Sequence, residues 1–176
     1  YKASKKWQLE GEDGLKIVYG RFKDEASNVT LEYYDKVVLD RIPPEDARIS
    51  INNGAKWLNN KALKADLSLY AKGAYEILLS NSSNFSQSTW EPYIELRKDW
   101  QISSGPEASV YAKFRDKAGN ESKPVSASIL VDLEAPKNPK LTIDDNAKYV
   151  QNKERKILFT LGAEGATAVS YTHLRA

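Results

Sequence analysis

The sequence predicts an all-β chain of antiparallel β-sandwich repeats in tandem, and three observations carry that reading. Ala108 to Asn120, ASVYAKFRDKAGN, alternates apolar and polar residues and ends in an Asp-Lys-Ala-Gly-Asn turn. The same design stands 92 positions earlier in LKIVYGRFKDEASN, where Tyr19 matches Tyr111, Phe22 matches Phe114, Asp24 matches Asp116 and Asn28 matches Asn120. Short strand-like alternations separated by turn residues then recur along the chain, the pattern of an antiparallel sandwich.

The repeat runs on without gaps. Leu39, Asp40 and Pro44 match Val131, Asp132 and Pro136, and the register continues from Ile49, Ile51, Ala55, Lys56 and Trp57 to Leu141, Ile143, Ala147, Lys148 and Tyr149. Asn60 and Lys61 align with Asn152 and Lys153, and Gly73 and Ala74 with Gly165 and Ala166. A period of that length is one small domain rather than a solenoid turn. It places a complete unit at residues 45–136, the C-terminal half of a preceding unit at 1–44 and the N-terminal part of a following one at 137–167. A half-sandwich has no second sheet against which to bury its apolar face, so both ends are expected to be frayed or loosely docked. Pro136 and Pro139 stiffen the junction by fixing φ and restricting the residues before them, and an extended array is expected.

Within the complete unit, Ala47 to Asn52 alternates through Ile49 and Ile51 as a first strand,. Asn53-Gly54 supplies the positive φ of a tight turn. Leu63, Ala65, Leu67 and Leu69 then alternate with Lys64, Asp66, Ser68 and Tyr70, a half-buried strand. After Lys72-Gly73, AYEILLSN reads as a third strand facing inward through Tyr75, Ile77 and Leu79, with Leu78 blurring the alternation. The polar stretch from Asn81 to Trp100 is expected to hold a crossing connection and a short strand near Tyr93 to Leu96. From Ala108, Val110, Ala112 and Phe114 face in while Tyr111, Lys113 and Arg115 face out. The last strand, Pro124 to Asp132, turns Val125, Ala127, Ile129 and Val131 to the core.

Composition excludes several classes of function. Lys and Arg number 26 against 24 Asp and Glu, a net charge of +2 with the basic residues scattered, so there is no electrostatic footprint for nucleic acid. No apolar run is long enough to span a bilayer as a helix,. The absence of Cys removes disulfide, thiol and zinc-thiolate chemistry,. No nucleophile-base pair or Gly-rich phosphate loop is present, and the expectation is a chain that is not an enzyme.

The last nine residues, Ala168 to Ala176, depart from the repeat, since Ala168, Val169 and Ser170 stand where Glu76, Ile77 and Leu78 would fall. They resemble the translation of a transposase-based sequencing adapter, a recurrent contaminant at the ends of metagenomic genes. The only histidine, His173, lies in this tail and is given no chemical role.

Trp100, Val110, Tyr111, Phe114, Asp116, Gly119, Asn120, Ser122, Val131, Asp132 and Pro136 stand in an order that resembles the bacterial Ig-like and fibronectin type III-like repeats of large secreted or cell-surface proteins. Ser80, Asn81, Phe85, Trp90, Pro92 and Tyr93 fit the same type. The resemblance covers residues 1–167. It implies an extracellular bacterial setting and neighbouring repeats of the same chain as partners, but no common activity. In the first unit Ser27 replaces Gly119, and Asn28 is expected to help supply that turn.

Asp116, Asn120 and Asp132, with Asp24, Asn28 and Glu134, can be read as oxygen ligands for calcium. The alternative is an Asx turn in which the side chains bond backbone amides and Gly119 is left-handed; it is favoured because calcium needs more converging carboxylates than this spacing guarantees. Asp144-Asp145-Asn146 aligns with Asn52-Asn53-Gly54 and reads as the same turn rather than a catalytic pair. Trp90 and Tyr93 are candidate stacking platforms for a glycan, against the reading that Trp90 closes the sandwich. Trp100 is assigned to the core, with Trp7 as its counterpart. Tyr111, Lys113 and Arg115 form an outward stripe that could meet an acidic polymer, a surface protein or a partner domain, or simply be a solvated face. The Asn-x-Ser/Thr sequons at Asn28, Asn81, Asn84 and Asn120 are expected to be silent in a bacterial chain,. Two roles follow: a spacer that presents other domains, or an adhesin or carbohydrate-binding accessory module.

Overall fold

Alternating apolar residues need a covered face, and the chain supplies it with paired sheets. The computed structural model describes residues 2–151 and 156–172, so Asn152, Lys153 and His173 lie outside the described residues. The chain is all-β, with no α-helix among the described residues. It divides into two units, Tyr1–Val131 and Asp132–Ala176.

The first unit contains β1 (Gly14–Gly20), β2 (Tyr33–Leu39), β3 (Glu45–Ile51), β4 (Trp57–Leu58), β5 (Lys64–Lys72), β6 (Glu76–Ser80), β7 (Glu91–Pro92), β8 (Leu96–Gln101), β9 (Glu107–Arg115) and β10 (Val125–Val131). β1 and β2 form an antiparallel hairpin. One sheet has the order β3-β5-β8 and the other β4-β10-β9-β6-β7. Their pairings are antiparallel except at one edge, where β4 runs parallel to β10.

The period-2 pattern decides which side chains meet. Ala65, Leu67, Leu69 and Ala71 of β5 and Ala108, Val110, Ala112 and Phe114 of β9 are buried at alternate positions. With Ile51, Leu58, Ile77, Leu79, Ile102 and Ile129 they make one core drawn from both sheets, as two face-packed layers of a β-sandwich do. Val125, Ala127 and Val131 pack against it, half-buried.

Three expectations need correction. Tyr75 does not face inward: the strand begins one residue later, and Tyr75 is exposed with its ring beneath Lys117. Its backbone is already committed, donating to the Arg115 carbonyl and accepting from the Tyr93 N–H. Leu78, which already blurs the alternation in the sequence, is buried with Ser80, Ile77 and Leu79, so β6 is covered on both faces. The connection after it contains not a strand over Tyr93 to Leu96 but β7 and then β8, which runs on to Gln101. Finally, the parallel β4–β10 edge is an exception to an all-antiparallel pairing.

The second unit carries β11 (Lys137–Ile143) and β12 (Phe159–Glu164), an antiparallel pair. β11 begins and ends 92 positions after β3, and the register shift between Glu45 and Arg48 recurs between Lys137 and Lys140.

Candidate functional site

The Asp-Lys-Ala-Gly-Asn turn after β9 is built by one carboxylate. Asp116 Oδ1 accepts the backbone N–H of Ala118 at 2.8 Å and of Asn120 at 2.9 Å, while Oδ2 accepts from Asn120 Nδ2 at 2.8 Å. Gly119 takes φ 92° and donates to the Asp116 carbonyl. Ser122 closes the arrangement from beneath, accepting the Phe114 N–H on its buried hydroxyl and donating to Lys123 O. Burial alone would push the Asp116 carboxyl up, but the bonds from the Asn120 side chain and from the backbone of Asn120, Ala118 and Gly119 outweigh it and hold the pKa below the ordinary Asp value,.

The same construction stands at residues 24–30. Asp24 Oδ1 accepts the Asn28 N–H and Oδ2 accepts Asn28 Nδ2, both at 2.8 Å, while Thr30 takes the place of Ser122. The Asn28 side chain, then its backbone, lowers the Asp24 pKa. Contrary to the sequence expectation, Ser27 itself adopts the positive φ, at 70°, in the position of Gly119. Only a residue at that point can close the turn, so the cost of a left-handed side chain falls there.

The calcium candidates are therefore engaged locally. Asp132 Oδ1 accepts the Glu134 N–H at 3.0 Å, as Asp40 Oδ1 accepts the Ile42 N–H at 3.1 Å. Asn120 Nδ2 also reaches the Asp40 carbonyl at 3.1 Å, tying the turn to the chain entering β3. Beside that junction Arg41 is held by both carboxylate oxygens of Asp13. Among the described residues no group of three or more His, Cys, Asp or Glu is placed to hold a metal ion.

The aromatic loop folds over the outer face of β9. Phe85 meets Tyr111 edge-on at 6.4 Å and lies 5.6 Å from Lys113 Nζ, and the Arg115 guanidinium lies 4.5 Å from the Trp90 ring while Nε donates to Glu76. That bond lowers the Glu76 pKa and raises that of Arg115. Trp90 and Tyr111 are each half-buried by this ladder. Tyr93 is elsewhere: its ring packs edge-on against Phe114 at 5.8 Å, its hydroxyl donates to the Leu69 carbonyl at 3.2 Å, and burial raises its pKa. The structure thus brings Trp90 and Tyr111 to one outer face and sets Tyr93 at the core edge.

Asn81, which the sequence marks only as a repeat position and a sequon, has a structural role that sequence reading did not assign. Its Oδ1 accepts the Trp100 ring N–H and its Nδ2 donates to the Gln101 carbonyl, both at 2.8 Å, which fastens the loop to β8. Trp100 is half-buried against the core, whereas Trp7 is exposed. Asp144, Asp145 and Asn146 form a left-handed turn like that of Asn52, Asn53 and Gly54. No protein-family profile matches this chain, and no curated protein or solved structure matches it significantly.

Proposed function

We propose that this chain is a non-catalytic structural segment of Ig-like or fibronectin type III-like repeats in a bacterial extracellular protein, secreted or attached to the cell surface, that spaces and presents other domains. The observation that carries the reading is the recurrence, 92 positions apart, of turns whose Asp and Asn side chains bond backbone amides and each other. Such side chains specify a shape and leave little for chemistry. Two face-packed sheets of three and five strands sharing one core are consistent with a sandwich repeat of this general kind,.

A second reading is favoured by one feature. The ladder of Tyr111, Phe85, Lys113, Arg115 and Trp90 is a row of aromatic and cationic groups on an outer sheet face, a surface suited to an acidic glycan in an adhesin or accessory module. A glycan array probed with the intact chain separates the two. Hits lost in both Trp90→Ala and Tyr111→Ala favour the binding module; an array without reproducible hits favours the spacer.

A further inference from the structure

The outer face of the β3-β5-β8 sheet carries one cation without a counter-charge in contact. Among the described residues Arg21, Arg41, Arg97 and Arg115 each pair with a carboxylate, those of Glu32, Asp13, Glu91 and Glu76. Arg48 has no such partner; its guanidinium lies 4.0 Å from the centre of the Tyr70 ring. The pairing of β3 with β5 sets Arg48 opposite Tyr70 and Ser50 opposite Ser68. Ile49 and Leu69, between these pairs, turn to the core, so the other four side chains stand on the outer face. All six residues line a hollow of about 140 Å³. Ser68 donates its hydroxyl to Asn53, whereas the hydroxyls of Ser50 and Tyr70 have no partner among the described residues.

The strand pair does not need this arrangement to form. At the matching places of the second unit Lys140 stands opposite Gly162 and Thr142 opposite Thr160, and β11 still pairs with β12. The next charges along the first unit's sheet, Lys72 and Glu45, satisfy each other. Glu95 shares the neighbourhood, since its charge and that of Arg48 act in opposite directions on the Tyr93 hydroxyl, but no ion pair joins the two.

The hollow therefore offers one positive charge, which suits a monoanion, and a guanidinium fork receives both oxygens of a carboxylate through parallel N–H bonds. Contact with the Tyr70 ring already restrains the Arg48 side chain, so less freedom is lost on binding. The hydroxyls on the rim favour a ligand that carries hydroxyls of its own beside the carboxylate.

We propose that this hollow binds a uronic acid residue of an acidic polysaccharide, with its carboxylate on Arg48 and its sugar hydroxyls on Ser50 and Tyr70. The site lies on the other sheet from the ladder of Phe85, Trp90 and Tyr111 and depends neither on that ladder nor on the spacer role.

The test is a titration of the intact, isotope-labelled chain with a galacturonic acid oligomer, followed through its backbone amide resonances. Saturable shifts are expected at Arg48, Ser50, Ser68 and Tyr70, with a Kd on the order of 1 mM for so small a contact. A neutral galactose oligomer should leave these amides unmoved. Arg48→Ala abolishes the response, and Arg48→Lys, which keeps the charge but not the fork, weakens it about tenfold. Glu95→Gln removes a nearby like charge to the ligand and tightens binding. Arg48 is exposed, so the thermal transition of its variants should match wild type and certify their fold. Trp90→Ala and Tyr111→Ala should bind as wild type does. No saturable shift, shifts confined to the β9 face, or a response retained in Arg48→Ala overturns the site. Equal shifts with polyglutamate at matched carboxylate concentration overturn the sugar as its ligand.

Discussion

Asn52 Oδ1 accepts the backbone N–H of Asp66 at 2.8 Å, and 92 positions later Asp144 Oδ1 accepts the Leu158 N–H at the same distance. Both bonds fasten a turn of three left-handed residues to the strand region that follows: φ is 47°, 54° and 82° over Asn52 to Gly54 and 42°, 52° and 66° over Asp144 to Asn146. A short polar side chain tolerates that backbone and also supplies the acceptor.

Replacing Asn52 by Ala removes the acceptor and places an apolar residue at positive φ, for an expected loss of about 1–2 kcal/mol. Asn52→Asp retains most of the stability, because Asp144 makes the equivalent bond. Urea denaturation reads both as shifts of midpoint at unchanged slope.

Asp116→Asn discards an ionised acceptor of three bonds and is expected to cost about 1–3 kcal/mol at neutral pH. The folded pKa of Asp116 lies below its unfolded value, so its contribution is complete above the unfolded value. It is lost as pH falls through the folded one, below about pH 4. The gap between wild type and variant in a pH series of denaturation midpoints should therefore close on acidification and stay constant from pH 5 to about pH 8.

Ser27→Gly relieves a left-handed side chain and should strengthen its turn by about 0.5–1 kcal/mol, slowing exchange of the Thr30 amide, which bonds the Phe22 carbonyl,. Gly119→Ser is the mirror experiment and should destabilise the sandwich by a similar amount.

Phe114→Ala empties a fully buried site and should cost about 3–5 kcal/mol,. Phe22→Ala, at the matching place on the exposed hairpin, should leave the main unfolding transition of dilute protein within about 0.5 kcal/mol of wild type,. Differential scanning calorimetry of the two variants side by side checks the contrast.

The turns, the 92-residue period and the inward residues of β5 and β9 were legible in the sequence because each follows from local rules: Asx side chains bond nearby amides, positive φ selects Gly or Asn, and a pleated strand alternates. β8 was illegible for a local reason too. Asp99 sits at φ 54° and donates its N–H to Asp66, and the pairing with β5 slips between Ala65 and Leu67, so alternation is broken where Arg97, Lys98 and Asp99 already read as loop.

What folding alone settled is which surfaces are covered. Tyr75 and Tyr93 flank the paired strands β6 and β7 and are joined through their backbones, yet one side chain is exposed and the other packs on Phe114. The loop that holds Phe85 and Trp90 shields the outer face of β9, and Asn81 fastens it through bonds to residues about twenty positions away. The identical pattern at Phe22 and Phe114 yields an exposed ring in one place and a buried one in the other. Periodicity specifies which side of a strand is apolar, whereas burial requires an opposing surface, and that is a property of distant parts of the chain brought together.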